Sequence, residues 1–297
     1  ECPVRRGRAP PAMELMSSGP LVLVQDDFVD PETCRELLRM AKVAHDVPAE
    51  QTLWSDETFD LPMWPEGHLA SLEPLLARVD ELCGSERRED EQPPCVRFIG
   101  PRRGAAAEPG QVPSRHLPAG LHVDTAGSPY RFLTAMLYLA DVPQPSGDGA
   151  TVFPLADSSN APSGLVAQDE ERLVAGARAS GEALLGTGKL HTISCNDERS
   201  RGHRDVLVNA AEHRCGLSIW PKVGRLLVFF TLAGDGAVDP LSWHAGARVQ
   251  ADAGPANGKW YLQLFKTVPP EHRGVGKLAE YVSSRRSRLQ AGAVKRP

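Results

Sequence analysis

From about residue 121, the sequence is a series of short runs of β-branched, aromatic and other apolar residues, separated by turn-forming residues. The runs lie at 131–139, 150–153, 216–219, 225–230 and 260–268. Short runs with this spacing are typical of antiparallel strands that pack as a sandwich or close into a barrel. This half of the chain is therefore predicted to be strand-rich, which restricts the fold classes open to the protein.

The part before this strand-rich half is predicted to contain one strand and two helices. An apolar run at 21–24 predicts the strand. The pair Asp30-Pro31 is typical of a helix start, with Asp as the N-cap and Pro at the first helical position. A second helix is predicted at about 66–82, where apolar residues fall on one face. The segment 84–120 is rich in charge, Pro and Gly, and we expect it to be a long irregular connection.

These patterns predict one domain with two flanking segments. Residues 1–19 carry several Pro and Gly and show no periodicity, so a flexible N-terminal segment is expected. The domain is predicted over 20–268. Residues 269–297 are expected to form a basic C-terminal tail that includes a charged helix near 275–290.

Within the domain, the stretch 155–215 is predicted to be an insertion between two strands. It includes one predicted helix at about 168–185, and its polar character and glycines favour a mobile lid. A zinc site is the alternative, although the spacings fit no common zinc pattern. The residues that suggest zinc are His191, Cys195, His203, His213 and Cys215.

The charge balance argues against nucleic acid as the main partner. The chain has 33 Lys and Arg against 38 Asp and Glu, a net charge of −5, whereas phosphate binding needs a basic surface. The arginine clusters at the two ends are interpreted as solvated tails. No apolar run reaches the roughly 18 residues of a membrane span, so none is predicted. The oligomeric state is left open.

The cysteines leave the compartment open as well. Six are too few for a disulfide scaffold, and none forms a CxxC pair. Cys83 with Cys95, or Cys195 with Cys215, would be bridged in an oxidising compartment, and isolated small residues are the alternative. The chain begins with Glu1 rather than Met, so we expect its natural start to be missing. A removed signal peptide stays an alternative, which leaves both endoplasmic reticulum and cytoplasm open.

One pattern of residues points to a metal site. His122 and Asp124 are two positions apart in a predicted strand, so their side chains project from the same face. This pair alone is weak evidence, because a strand-end His beside a turn Asp is common. His244, about 120 residues downstream, supplies a third ligand. Two His and one carboxylate leave positions open on the metal, as in the facial triad of non-haem Fe(II) oxygenases.

The motifs around these ligands add a family resemblance. They are His122-Val123-Asp124, Arg131-Phe132-Leu133-Thr134, Leu137-Tyr138-Leu139-Ala140-Asp141-Val142, Gly149-Ala150-Thr151-Val152-Phe153-Pro154, Gly224-Arg225-Leu226-Leu227-Val228-Phe229-Phe230, Trp243-His244-Ala245-Gly246 and Gly258-Lys259-Trp260. In this order, they resemble the Fe(II)/2-oxoglutarate dioxygenases, and among them the prolyl 4-hydroxylase-like branch. The resemblance covers about 20–45 and 95–268.

The resemblance implies an α+β fold, with a double-stranded β-helix (jelly-roll) barrel supported by N-terminal helices. It implies Fe(II), 2-oxoglutarate and O₂, with L-ascorbate as reductant, and His122, Asp124 and His244 as catalytic metal ligands. The implied reaction hydroxylates an unactivated C–H bond, most typically of a prolyl residue in a peptide or protein. A free amino acid or other small-molecule substrate is the alternative, and a cupin-like metal-binding protein without turnover is another.

The resemblance also assigns residues to the cosubstrate. The C5 carboxylate of 2-oxoglutarate needs a cation and hydrogen-bond donors inside the barrel. Lys259 stands where the family keeps a basic residue, at an offset of 15 from the distal histidine. Arg248 is the competing cation. Tyr138 matches a position that donates a phenolic hydrogen bond to that carboxylate, and Thr134, on the same strand face, is expected to assist.

Two further expectations concern the mouth of the barrel. Arg131 is expected near the mouth on the side of the HxD pair, where it is the candidate substrate contact. The family usually has a Tyr several residues before HxD, but the stretch 114–121 contains none. A contact to the cosubstrate is therefore missing or supplied from elsewhere in the chain.

Overall fold

The protein is described by a computed structural model over residues 12–44, 58–61, 68–100, 121–125, 128–142, 149–157, 165–186, 201–247, 249 and 258–295. The strands are β1 Glu14–Ser18, β2 Leu21–Gln25, β3 Thr58–Leu61, β4 Cys95–Ile99, β5 Arg131–Tyr138, β6 Thr151–Phe153, β7 Leu217–Ile219, β8 Leu226–Phe230, β9 Ala245–Gly246, β10 Lys259–Thr267 and β11 Val294–Lys295. The helices are α1 Pro31–Ala44, α2 His68–Cys83, α3 Ala167–Gly186, α4 Arg201–Glu212 and α5 Lys277–Gly292.

Eight strands form one large sheet, in the order β11-β1-β2-β8-β5-β10-β4-β3. Neighbouring strands run antiparallel, except for β1 and β11, which are parallel. The antiparallel strands predicted for the second half of the chain are therefore confirmed. The central strands β5, β8 and β10 are buried along their whole length, because both faces of the sheet are covered.

A second, smaller antiparallel sheet contains three short strands in the order β7-β6-β9. A single bridge between His122 and His244 lies just before β9. The two sheets share one buried cluster, as a sandwich or barrel requires. The large sheet supplies Met136, Tyr138, Phe229 and Tyr261 to this cluster, and the small sheet supplies Phe153, Leu217 and Ile219.

Helices cover the other face of the large sheet. The two predicted N-terminal helices are confirmed as α1 and α2, and the predicted C-terminal helix as α5. Their apolar side chains share one core cluster with the outward-facing residues of the central strands. The cluster includes Leu37, Ala41, Leu72, Leu76, Leu133, Leu137, Val228, Leu262 and Tyr281. The helices thus support the sheet from behind and leave the space between the two sheets for the site.

The insertion carries two helices, which pack against the small sheet. The helix predicted near 168–185 is confirmed as α3, while α4 has no counterpart among the predicted elements. Ala177 and Leu207, from the two helices, lie in one buried cluster with Val152 of β6 and with Trp243. The insertion therefore forms part of the hydrophobic core beside the segment that carries His244.

Two of the strands that were not predicted lie in segments for which a different structure was expected. Glu14–Ser18, within the segment expected to be flexible, forms β1 and pairs with β2 and β11. Cys95–Ile99, within the segment expected to be irregular, forms β4 between β10 and β3. Both strands are only five residues long. Pairing with strands distant in sequence stabilises them, and a local pattern does not reveal that pairing.

None of the described cysteines forms a disulfide. Cys83 and Cys95 are both buried and unbridged, as the alternative of isolated small residues predicts. Cys195, the proposed partner of Cys215, lies outside the described residues. In the part of the chain that is described, no helix has both the length and the apolar character needed to cross a bilayer.

Candidate metal centre

The backbone brings the two histidines of the predicted triad together. His122 and His244 form an isolated antiparallel bridge, in which each amide N–H donates to the other's carbonyl oxygen at an N···O distance of 3.0 Å. Their imidazole centroids are 4.3 Å apart. After His122 the chain turns sharply, and the amide of Thr125 donates to the carbonyl of Val123 at 2.8 Å. This turn directs Asp124 back towards the two imidazoles.

Asp124 completes the cluster. Its Oδ1 lies 3.2 Å from Nε2 of His122, and its Oδ2 lies 3.5 Å from Nε2 of His244. One possible ligand atom from each residue lies within 4.8 Å of the other two. Asp124 and His244 are 4% exposed, whereas 21% of the His122 side chain is exposed, so solvent reaches the cluster beside His122. The three predicted ligands are therefore in place to share one ion.

The imidazole of His244 is oriented by its own segment. Its Nδ1 lies 3.0 Å from the carbonyl oxygen of Ser242. A ring nitrogen that faces a carbonyl donates its proton, which leaves Nε2 as the atom available to a metal. Ser242 ends a 3₁₀ helix at Pro240–Ser242, and the Asp239 side chain caps this helix by accepting from the Leu241 amide at 3.0 Å. The Oγ of Ser242 donates to the Asp239 carbonyl at 2.7 Å.

Thr134 and Arg131 both contact Asp124. The Thr134 hydroxyl donates to Oδ2 of Asp124 at 2.8 Å. The Arg131 guanidinium donates to the Asp124 carbonyl at 3.1 Å and to Oε1 of Gln92 at 3.0 Å, and it lies 3.5 Å from the ring centroid of Phe265. Arg131 is only 8% exposed. The hydroxyl of Thr134 is therefore engaged by a metal-ligand carboxylate, and Arg131 packs into the wall beside the cluster.

These contacts set the charges of the cluster. Burial alone would raise the pKa of Asp124, but the attraction of His244 and the hydrogen bonds from His122 and Thr134 hold it well below its usual range. Burial and the neighbouring His122 lower the pKa of His244 to about 4. Near neutral pH, Asp124 is thus an anion and His244 is a neutral imidazole. These are the protonation states in which the two residues bind a divalent cation.

A second group of polar residues lies inside the two sheets. Nζ of Lys259 donates to Oγ1 of Thr151 at 2.8 Å, and the Tyr138 hydroxyl lies 2.7 Å from the same oxygen. Nζ also lies 5.6 Å and 5.4 Å from the ring centroids of Tyr138 and Tyr261. Burial raises the pKa of Tyr138, so its hydroxyl keeps its proton. Lys259 and Tyr138, two residues assigned to the cosubstrate, are therefore held together by one threonine hydroxyl.

The charge of Lys259 is not balanced within its pocket. Lys259 is 1% exposed, and no carboxylate of the described residues lies within ion-pair distance of it. Burial, together with the charge of Arg214, lowers the pKa of Lys259 to about 7. A buried cation without an anion is costly, so this pocket favours an anionic ligand. Arg248, the competing cation, lies outside the described residues.

The sequence did not indicate every member of the site. Thr151 lies in one of the quoted motifs, but its link between Lys259 and Tyr138 depends on the approach of β6 to β10. The atom of Ser242 that orients His244 is its backbone carbonyl, so the residue type at position 242 gives no sign of this contact. The zinc alternative stays untested, because His191 and Cys195 lie outside the described residues. Among the described residues, the metal-binding group found is His122, Asp124 and His244.

A scan against protein-family models and a search of curated proteins gave no match. Solved structures similar to this chain are prolyl 4-hydroxylases and other 2-oxoglutarate-dependent oxygenases. The collagen prolyl hydroxylase of Paramecium bursaria Chlorella virus-1 is 15% identical, with a TM-score of 0.41 over 91% of this chain and 99% of that one.

Two other solved structures are similarly distant. A Pseudomonas putida prolyl-4-hydroxylase is 14% identical, with a TM-score of 0.37 over 85% of this chain and 95% of that one. The carbocyclase SnoK from nogalamycin biosynthesis, which depends on alpha ketoglutarate, is 12% identical, with a TM-score of 0.45 over 84% and 80%. All three solved structures are of the kind of enzyme that the sequence resembles, the Fe(II)/2-oxoglutarate oxygenases. The likenesses to them are too weak to carry a functional argument, which has to come from the residues of the site.

Proposed function

We propose that this protein is an Fe(II)- and 2-oxoglutarate-dependent dioxygenase that hydroxylates an unactivated C–H bond. The observation that carries the proposal is the convergence of His122, Asp124 and His244, with one ligand atom from each within 4.8 Å of the others. Two imidazoles and one carboxylate are the donor set of the non-haem Fe(II) facial triad, and they leave positions open for a cosubstrate and O₂. Fe(II) with these partners supplies the oxidising power for C–H hydroxylation.

The proposed roles of the chain's own residues follow from their contacts. The carboxylate of Asp124 accepts from Thr134, and we assign Thr134 to the orientation of this ligand rather than to the cosubstrate. Arg131 holds the Asp124 backbone through its carbonyl. The substrate contact expected of Arg131 stays a prediction, because its guanidinium is buried and already bonded to the Asp124 carbonyl and to Gln92. His244 is oriented through the Ser242 carbonyl, so its Nε2 faces the shared ion.

Lys259 is the proposed anchor for 2-oxoglutarate. The C5 carboxylate of this molecule is the kind of anion that the unbalanced ammonium of Lys259 favours. Thr151 and Tyr138 supply hydroxyls at the same point, 2.7 Å apart. The ammonium would fix one end of the cosubstrate while its other end reaches the triad. L-ascorbate as reductant stays a prediction from the family resemblance, because no described contact bears on it.

We infer further that the two sheets form a jelly-roll barrel. Support comes from the strand order, because β8-β5-β10-β4 in the large sheet and β7-β6-β9 in the small sheet are each antiparallel. The side chains of the two sheets also share one interior cluster. For the substrate, the resemblance favours a prolyl residue, and a free amino acid or small molecule is the alternative.

The test is an oxygen-free titration of the purified protein with Fe(II), followed by an assay for succinate after 2-oxoglutarate and O₂ are added. We expect one Fe(II) per chain and succinate formation that requires both additions. A mass-spectrometric screen would then detect substrates that gain one oxygen atom. Metal binding without any succinate would favour the cupin-like alternative and contradict the proposal.

A further inference from the structure

The chain between β8 and His244 folds as a short hairpin over 231–239, followed by the 3₁₀ helix that orients this histidine. The hairpin is closed where the amide of Asp239 donates to the carbonyl of Thr231 at 2.9 Å. Because the 3₁₀ helix begins directly after the hairpin, the position of the hairpin determines where the helix and His244 lie.

The C-terminal helix α5 packs against this hairpin. The Oγ of Ser283 donates to the carbonyl of Gly234 at 2.6 Å. Gly236 has a φ of +83°, and a Cβ at this position would lie 2.9 Å from Cγ of Leu278, so a side chain would be both strained and crowded against the helix. Helix α5 lies beyond the range predicted for the domain, yet it contacts the segment that leads to a metal ligand.

Arg286 makes the charged contact between α5 and the hairpin. It belongs to the C-terminal arginine cluster that was interpreted as solvated, but only 14% of its side chain is exposed. Its Nη1 donates to the carbonyl of Leu232 at 2.9 Å and lies 3.8 Å from Oδ2 of Asp239. The Asp239 side chain is 8% exposed. The ion pair is therefore largely shielded from water, where a charge acts more strongly than at the surface.

The carboxylate of Asp239 depends on this neighbouring charge. Burial raises its pKa most, while the hydrogen bond from the Leu241 amide and the charge of Arg286 act in the opposite direction. The negative charges of Asp157 and Asp235 raise the pKa further. Arg286 thus favours the ionised carboxylate, which is a stronger acceptor than the protonated group.

The contacts of Asp239 continue to the distal metal ligand. Its Oδ1 accepts from the Leu241 amide at 3.0 Å, and its carbonyl accepts from the amide and the hydroxyl of Ser242 at 3.0 and 2.7 Å. The carbonyl of Ser242 lies 3.0 Å from Nδ1 of His244. A shift of Asp239 would therefore move the carbonyl that orients the imidazole.

We propose that Arg286 is a positioning residue of the metal centre, which fixes Asp239 and through it the orientation of the His244 imidazole. The inference rests on the proposed function, because it assumes that His244 binds the metal. It deepens that function by extending the support of the site to α5. Arg286 itself has no contact with His244, and its effect passes through the backbone of the hairpin and the 3₁₀ helix.

The first test is a titration of the purified proteins with Mn²⁺, at a temperature where every variant is folded. Arg286→Met removes the charge and keeps an apolar side chain. The affinity for Mn²⁺ should fall about three- to tenfold, less than the ten- to hundredfold that is typical when a direct partner of a ligand is lost. Arg286→Lys should restore part of the affinity, because it returns a positive charge.

Arg285→Met is the matched control for this titration. Arg285 is the neighbouring arginine on the same helix, but its Nε donates to the carbonyl of Gly84 at 3.2 Å and its guanidinium stacks on Tyr281, away from the hairpin. We expect Arg285→Met to bind Mn²⁺ as the wild type does, even if its melting temperature falls as much as that of Arg286→Met.

A double-mutant cycle tests whether Arg286 acts through Asp239. Asp239→Asn removes the charge that Arg286 faces and leaves an amide oxygen to accept from Leu241. If the two residues act through one contact, the double variant should bind Mn²⁺ no more weakly than the weaker single variant. Losses of affinity that simply add would mean that Arg286 acts independently of Asp239, and would overturn the proposal.

A spectroscopic measurement reports the geometry of the site without turnover. With Co²⁺ bound, the visible absorption depends on the arrangement of the ligands, so Arg286→Met should differ from the wild type and Arg285→Met should match it. If Arg286→Met fails to fold, Arg286→Lys and Asp239→Asn carry the same comparison.

The outcomes separate this inference from the oxygenase function. Wild-type Mn²⁺ affinity and an unchanged Co²⁺ spectrum in Arg286→Met, or equal losses in Arg285→Met, would overturn the positioning role and leave the oxygenase intact. A wild type that binds Mn²⁺ but forms no succinate would overturn the oxygenase alone, because the affinities still decide the role of Arg286. A wild type that binds neither Mn²⁺ nor Fe(II) would overturn both.

Discussion

His122 and His244 are separated by 122 positions in the sequence, yet they exchange both of their backbone hydrogen bonds, with N···O distances of 3.0 Å. The relative position of the two imidazoles is therefore set by a β-bridge and not by the side chains alone. Asp124 reaches the same point by a turn two residues after His122. Backbone pairing of this kind preorganises a metal site before the ion arrives, which favours a defined coordination geometry.

The hydrogen bond from Thr134 to Asp124 predicts a selective effect on metal binding. Thr134→Val removes the donor at nearly constant volume, and loss of such an orienting contact typically weakens metal affinity about ten- to a hundredfold. Thr134→Ser should restore most of the affinity. Thr231→Val is the matched control, because the buried Thr231 hydroxyl has no partner among the described residues. Anaerobic Fe(II) titration measures all four proteins, and equal affinities for Thr134→Val and wild type would refute the assignment.

Lys259 is expected to determine the affinity for 2-oxoglutarate. Lys259→Met removes the cation bonded to Thr151, and one charge-assisted hydrogen bond is worth about 1.5–3 kcal/mol. The apparent 2-oxoglutarate constant should therefore rise about ten- to a hundredfold. Arg248→Ala, which removes the competing cation, should leave it nearly unchanged. Steady-state assays at varied 2-oxoglutarate measure both constants, and the opposite ranking would make Arg248 the anchor.

The same lysine predicts a pH dependence of stability. Burial lowers its pKa from 10.5 to about 7, so between these values the unfolded chain binds a proton that the folded protein does not. The free energy of unfolding therefore gains a positive slope with pH in this window, and Lys259→Met should lack that slope. Urea unfolding of the metal- and ligand-free proteins from pH 7 to 10 tests this. Parallel curves for the two proteins would show that Lys259 titrates normally.

How much of this site could be predicted from the sequence depends on the range of the interactions. His122 and Asp124 were recognisable because the two-residue period of a strand is local. Lys259 and Tyr138 were recognised through motifs, and in the structure both side chains lie within hydrogen-bond distance of the Thr151 hydroxyl. The role of Thr134 at Asp124 was not visible, because it depends on a side-chain contact that only the folded chain forms. Strand β4 escaped prediction for a similar reason, because it depends on pairing with β10 and β3.

The insertion shows the same limit. Its polar sequence suggested a mobile lid, but the buried faces of α3 and α4 pack on the small sheet. Nε1 of Trp243, the residue before His244, lies 3.4 Å from the carbonyl of Gly181 in α3 and donates to it. This packing predicts that shortening the segment 155–215 lowers 2-oxoglutarate turnover and stability together. The lid hypothesis predicts a selective loss of substrate affinity, so parallel assays of the shortened protein separate the two.

Adding one methyl group to α3 tests its contact with Trp243 by a smaller change than shortening the segment. A Cβ at Gly181 would lie 3.0 Å from Cδ1 and Nε1 of Trp243. In Gly181→Ala, overpacking of about 1–3 kcal/mol should therefore offset or exceed the stabilisation of up to about 1 kcal/mol that Ala gains over Gly in a helix. Gly202→Ala, in α4, is the matched control. Its added Cβ meets nothing within 4 Å, so it should be neutral or stabilise by up to about 1 kcal/mol. Urea unfolding measures the free energy of unfolding of both variants. Equal changes would mean that α3 does not pack tightly against Trp243.

The proposed oxygenase function requires that His122, Asp124 and His244 hold one Fe(II) for 2-oxoglutarate turnover. The most direct measurement is the rate of succinate formation by His244→Ala, with Fe(II), 2-oxoglutarate and O₂ present. The control is His213→Ala, at a histidine of the insertion that is not part of the triad. We expect His244→Ala to lose at least about a hundredfold in rate, since loss of a ligand exceeds the effect of losing an orienting contact, while His213→Ala stays close to wild type. Succinate formation by His244→Ala at the wild-type rate would show that His244 is not a ligand of the catalytic metal.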